Sequence, residues 1–314
     1  MEIRTFADLR NAFFRHYQEG EYDCVAALVE EHFNRFPERA SMLYNWHMCA
    51  ASLQGQYEKA EQIFAEAVRE GHWWAEDILR GDPDLAPMQG RPEFERLVEI
   101  SSRRHRQALA AARPELLTLL PDPELPGPYP LLLAIHGRGQ SAQVAAPRWR
   151  SLTRRGWIVA LPQSSYLTWD GGYAWEDRVQ AESEITAHYR ALAEKFTLEP
   201  GRVLLAGFSQ GGGLAISLAL KQSIPAAGFL SVAPFLAGIE DLEPFPRLAE
   251  EARPRGYLIT GGQDLGQEHF GQIEDLLHEY GISYQREEHP DLGHDFPEDW
   301  DEARQRAVRF LLDR

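Results

Sequence analysis

The 314-residue chain is 44% hydrophobic and 25% charged, the balance of an ordinary globular protein, which excludes disorder, collagen-like repetition and coiled coil. A net charge of −16 argues against phosphate backbones and anionic bilayers, so neither nucleic acid nor membrane is an expected partner. Two cysteines make no disulfide framework, the first residues carry charge rather than an apolar leader, and no run approaches the ~18 apolar residues of a membrane span, so a cytoplasmic protein is expected.

Residues 1–114 read as a helical domain. GEYD (20–23) recurs as GQYE (55–58), a separation of 35, and the second unit carries a tetratricopeptide-like pattern in Tyr44, Gly55, Tyr57, Ala60, Phe64 and Ala67. Small residues at 60 and 67 let paired helices approach while Tyr and Phe fill the gap. The first unit keeps Gly20, Tyr22 and Pro37 but has Val25 and His32 in the small slots. GDPDLAPMQGRP (81–92) reads as a turn, and Pro92 suits the first turn of a following helix. An array this short is expected to pack, to form a homo-oligomer or to recruit a protein partner. The run Arg103-Arg104-His105-Arg106 reads as a solvated or salt-bridging face, and Cys24 and Cys49 as buried packing residues.

From residue 115 the pattern changes. LLTLL (116–120), LLLAIHG (131–137), WIVALP (157–162), VLLAGF (203–208), AGFLSV (227–232), GYLITG (256–261) and SYQREE (283–288) read as seven strands, with helices expected at 178–196, 268–280 and 300–313. Apolar strands alternating with amphipathic helices predict an α/β domain over 115–314, its mostly parallel sheet covered on both faces. The proline-rich stretch 121–130 is expected to turn a hairpin between the first two strands.

The chemistry centres on Gly207-Phe208-Ser209-Gln210-Gly211, placed directly after a strand and before a helix. A serine at such an elbow sits in a strained turn that lifts its hydroxyl above the sheet, and the flanking glycines make room for it. An acid and a histidine should then follow in that order. Asp264 stands after GYLITG, and His294 lies in a glycine-containing loop before the last helix. His294 would take the Ser209 proton and return it to the leaving group, while Asp264 would hold the imidazole. Asp241, Asp291, Asp295 and Asp299 are rivals for the acid and His289 for the base; no third ligand type beside His289 and His294 suggests a metal. For the oxyanion, the backbone N–H groups of Gln210 and of Arg138, in IHGRGQ (135–140), are the candidate donors. The Arg138 guanidinium reads either as a hold on a substrate carboxylate or as a solvated loop group.

GFSQGG (207–212), HGRG (136–139), the Asp264 loop and GH (293–294), in this order over about 200 residues, resemble the phospholipase/carboxylesterase family of small α/β-hydrolases, which includes carboxylesterases and acyl-protein thioesterases. Trp175-Glu176-Asp177 is similar to that family's tryptophan–aspartate segment. The resemblance implies an α/β-hydrolase fold and a cofactor-free serine hydrolase cleaving small carboxylic esters or thioesters, with Ser209, Asp264 and His294 as the triad and Arg138 and Gln210 as oxyanion donors. The family's oxyanion loop has Leu where this chain has Arg138 and Asp where it has Gln140, a departure at odds with a lipid-like acyl pocket there. Trp169, Tyr173, Trp175, Phe235 and Phe296 sit on loops expected near the catalytic edge, either lining an acyl site or packing the loops. Two other functions fit the same residues: a non-catalytic adaptor that binds protein through its helices, and an amide or peptide hydrolase with the same triad.

Overall fold

The structure, a computed structural model, describes residues 3–121, 126–236, 245–264 and 266–313. It divides into two compact units. One comprises Met1–Ala112 with Leu167–Gly172, the other Arg113–Tyr166 with Tyr173–Arg314.

The first unit contains helices α1 (Phe6–Gln18), α2 (Tyr22–His32), α3 (Ala40–Leu53), α4 (Tyr57–Glu70), α5 (Glu76–Gly81) and α6 (Pro92–Ala111). Thr5 and Asp8 start α1 with a reciprocal capping box, and Pro92 opens α6 where its missing N–H costs nothing. Tyr44, Ala60, Phe64 and Ala67 meet in one apolar cluster with Met48, Trp74 and Phe94. Val25 lies in a second cluster with Leu9, Phe13, Val29 and Trp46. Cys49 is buried, but Cys24 is exposed, contrary to expectation. The stripe that α2 turns inward runs through Val25, Ala26 and Val29, and Cys24 falls off it. The basic run is partly engaged: Arg104 donates to the carbonyl of Val68, and the His105 ring stacks on Trp73.

Leu167–Gly172 belongs to this unit although the chain reaches it from the sheet. Ala75 N–H donates to the Thr168 carbonyl at 2.8 Å and Asp170 N–H to the Trp73 carbonyl at 3.0 Å. Trp169 packs against the Phe64 cluster.

The second unit is built on a seven-stranded sheet of β1 (Glu115–Leu119), β2 (Tyr129–Ile135), β3 (Ile158–Gln163), β6 (Leu198–Phe208), β7 (Gly228–Val232), β8 (Arg255–Gly261) and β9 (Tyr284–His289). Two short strands, β4 (Tyr166–Trp169) and β5 (Gly172–Ala174), form a separate ribbon that the sequence pattern did not predict. The order across the large sheet is β1-β3-β2-β6-β7-β8-β9, and every pairing is parallel except β1 with β3. The expected hairpin of the first two strands is therefore absent, because β1 pairs with β3 at the sheet edge; residues 122–125 of the proline-rich stretch lie outside the described residues. The alternation of the strands sorts side chains onto two faces. Leu131, Leu133, Ile135, Val203 and Leu205 join one core with helices α8 (Arg178–Lys195), α9 (Gln210–Lys221) and α10 (Gln267–Glu279). Leu132, Ala134, Leu204 and Ala206 join the other with α7 (Ala142–Trp149) and α11 (Trp300–Leu312). Among the described residues no helix is long and apolar enough to cross a membrane.

Candidate active site

In the sheet unit the carboxyl ends of β6 and β8 and the loop after β9 bring three sequence-distant groups together. Ser209 sits between β6 and α9 with φ +54° and ψ −123°, a conformation that side-chain-bearing residues rarely adopt. The turn is held on both sides. Ser209 N–H donates to the Val232 carbonyl at 2.9 Å, and the Ser209 carbonyl accepts from Gly213 at 3.1 Å and Phe235 at 3.0 Å. Two glycines allow it. A Cβ on Gly207 would stand 2.2 Å from the Gly211 carbonyl oxygen, and one on Gly211 would stand 2.3 Å from that of Ile135.

His294 Nε2 lies 2.9 Å from Ser209 Oγ, and His294 Nδ1 lies 2.8 Å from Asp264 Oδ2. A buried carboxylate offers only acceptors, so the proton sits on Nδ1 and Nε2 is left to accept from the serine hydroxyl. Asp264 Oδ1 also accepts from the Gly266 N–H at 2.9 Å, which fixes the carboxylate plane. The His294 ring rests against Phe208, 4.9 Å between centroids. A hydroxyl facing a neutral imidazole that is oriented by a carboxylate is the arrangement that makes serine a nucleophile.

The rivals are engaged elsewhere. His289 Nε2 pairs with Glu287 at 2.9 Å, Asp299 with Arg306 at 2.7 Å, and Asp295 accepts from the Phe296 N–H at 2.7 Å. Asp291 is exposed, and Asp241 lies outside the described residues.

A cavity of about 380 Å³ opens beside Ser209, lined by Arg138, Trp175, Glu176, Arg178, Gln210, Leu214, Ser217, Phe235 and Leu236. Both proposed donor residues, Arg138 and Gln210, thus share the cavity with the nucleophile. The Arg138 guanidinium is paired with Glu176 at 2.7 Å. Of the five aromatics, only Trp175 and Phe235 line the cavity. Trp169 packs against the helical unit's core instead, because Leu167–Gly172 is part of that unit. Tyr173 is held in β5 by a backbone bond to Gln140, and Phe296 stacks on Phe208, 5.0 Å away, in a loop-packing role. Sequence reasoning missed Leu214 and Ser217, whose spacing from Gln210 along α9 puts all three on one helix face.

Residues 5–109 match the family model described as the A/B hydrolase-like, N-terminal domain. Among solved structures, an uncharacterized protein from Bacillus cereus ATCC 10987 is 26% identical over 99% of each chain, with a TM-score of 0.56. Esterase PE8 is 20% identical over 64% of this chain and 100% of its own, with a TM-score of 0.53. MGS-M1, an alpha/beta hydrolase enzyme from a Medee basin deep-sea metagenome library, is 18% identical over 64% of this chain and 93% of its own, at 0.50. The fold is that of the α/β-hydrolases. No curated protein matches the chain in sequence.

Within this α/β-hydrolase fold the loop after β2 is built around a buried histidine, the first residue of HGRG. His136 Nδ1 donates to the Gly137 carbonyl at 2.9 Å, and its Nε2 accepts from the Ser164 N–H at 3.4 Å. Complete burial pushes its pKa down from the ordinary 6.5 to about 4.

Gly211→Ala sets a methyl against backbone on the neighbouring strand, where no side chain can give way. We expect a loss of about 3 kcal/mol or outright failure to fold, read by urea unfolding. Because folding holds His136 neutral, unfolding takes up a proton between pH 6.5 and about 4. The stability contributed is complete above pH 6.5 and is lost as pH falls through this window, on the order of 3 kcal/mol for this group. His47 and His188, also pushed down by burial, act in the same direction. Unfolding midpoints measured from pH 7 to pH 4 should fall steadily; a flat profile would contradict the neutral buried state.

Proposed function

We propose that this chain is a serine hydrolase that cleaves small carboxylic esters, thioesters included, through an acyl-enzyme on Ser209. The observation that carries the reading is the continuous chain from Ser209 Oγ through His294 to buried Asp264, seated at a strained elbow on the wall of a cavity.

The reaction follows from those positions. Ser209 Oγ attacks the substrate carbonyl carbon as its proton passes to His294 Nε2. The carbonyl π electrons move to oxygen, and the resulting oxyanion meets the backbone N–H groups of Arg138 and Gln210. Gln210 opens α9, whose dipole favours negative charge there. The C–O or C–S bond then breaks, the carbonyl re-forms, and the leaving group takes the proton from His294. Water repeats the sequence: it gives its proton to His294, adds to the acyl carbon and expels Ser209, which recovers the proton. Throughout, the Asp264 carboxylate holds Nδ1–H and stabilises the imidazolium that forms twice per turnover.

The ester preference rests on the resemblance carried by GFSQGG, HGRG and GH, and a fold relative bears the name esterase. The apolar side chains of Trp175, Leu214, Phe235 and Leu236 suit an acyl chain, and the charged mouth at Arg138 and Glu176 suits small, partly polar substrates rather than long lipids.

Hydrolysis of p-nitrophenyl esters of increasing chain length tests this. Ser209→Ala and His294→Ala should each lower kcat by about 10³-fold or more, and the double variant should be little worse than either single, because the two act as one unit. Full activity in Ser209→Ala would overturn the proposal.

A further inference from the structure

The two loops that would supply the oxyanion donors are separate in sequence, one after β2 and one after β6, and β5 with the residue following it reaches both. On the β2 side, Gly139 N–H donates to the Tyr173 carbonyl at 2.6 Å, and Tyr173 N–H donates to the Gln140 carbonyl at 3.1 Å. Trp175 Nε1–H donates to the His136 carbonyl at 3.0 Å, and the Trp175 ring lies 4.8 Å from the His136 ring. On the elbow side, Trp175 N–H donates to the side-chain carbonyl of Gln210 at 2.9 Å. One buried residue therefore holds both loops through two different donors, one on its ring and one on its backbone.

We propose that Trp175 and the Gln210 side chain form a latch that sets the separation of the Arg138 and Gln210 N–H groups, making Trp175 a positioning residue for the oxyanion. This rests on the reading of Ser209 as nucleophile. Each half of the latch acts on a peptide next to a donor: the His136 carbonyl fixes the turn that leads into Gly137-Arg138, and the Gln210 side chain ties its own residue to the opposite loop. Donors stabilise a developing negative charge only when their geometry is already set, so loosening either bond weakens the transition state more than the bound ester. Gln210 thereby has a side-chain task in addition to its backbone one.

Two variants of the full chain separate the halves. Trp175→Phe keeps an aromatic ring but removes the Nε1–H, and Gln210→Met keeps length but removes the acceptor. With a p-nitrophenyl ester, each should lower kcat about 10-fold or more while KM stays within about twofold. Each should also weaken an alkyl boronic acid, which forms a charged tetrahedral adduct on serine, by the same factor as kcat. The double variant should fall well short of the product of the two singles, since one latch is being opened twice. Either folded variant decides the matter alone. An unchanged kcat and boronate affinity overturns the latch, as does a rise in KM with kcat held, which would make Trp175 only a wall of the substrate cavity. A wild-type protein that neither turns over esters nor binds the boronate overturns the nucleophile reading and the latch with it.

Discussion

The strained backbone of Ser209 is the constraint on which the rest of the sheet unit depends. A side-chain-bearing residue at φ +54° persists only where its surroundings leave no alternative. Here the surroundings are backbone: the amide is fixed to β7, and the carbonyl takes donors from α9 and from the segment after β7. Gly207 and Gly211 complete the restraint by letting β6, α9 and the end of β2 approach without an intervening Cβ. The register of three parallel strands is therefore what aims one hydroxyl, and the parallel order also delivers the Asp264 and His294 loops to the same edge.

Around that elbow the polar groups are neutral or paired in ways that keep burial affordable. His136 sits uncharged inside the sheet and spends both ring nitrogens on backbone. Asp264, a buried carboxylate, is answered by a histidine and a backbone N–H. The exposed charges at the cavity mouth answer each other, Arg138 against Glu176. A single line of polar contacts thus runs from the Asp264 carboxylate through His294 to the Ser209 hydroxyl, the line on which the proposed mechanism relies.

Much of this was legible in the sequence because it rests on local signals. The central parallel strands are short apolar runs, so their positions are legible, and the carboxyl end of β6 at Phe208 leads into the elbow as the pattern predicts, although β6 begins at Leu198, five residues before its apolar run. The positions of Ser209, Asp264 and His294 after strands mark them in the sequence, and the structure brings those three side chains together. What sequence could not supply is long-range pairing. β1 looks like the first arm of a hairpin, yet its partner is β3, some 40 residues on. The β4–β5 ribbon is short and mixes aromatic with polar residues, so nothing in its pattern separates it from loop. That blind spot misplaced Trp169, which bridges to Trp74 and packs against its apolar cluster, and hid Trp175's bonds to His136 and Gln210. The helical unit shows the same division: Ala60, Phe64 and Ala67 declare a packing face, whereas the exposure of Cys24 depends on which way α2 is rolled.

The central claim is that Ser209 is a nucleophile already activated by His294. The most direct test is to treat the folded protein with a fluorophosphonate and locate the adduct by peptide mass mapping. The account predicts one stoichiometric modification, on Ser209, abolished when His294 is replaced by Ala. No adduct on the folded protein, or an adduct at another residue, would contradict it.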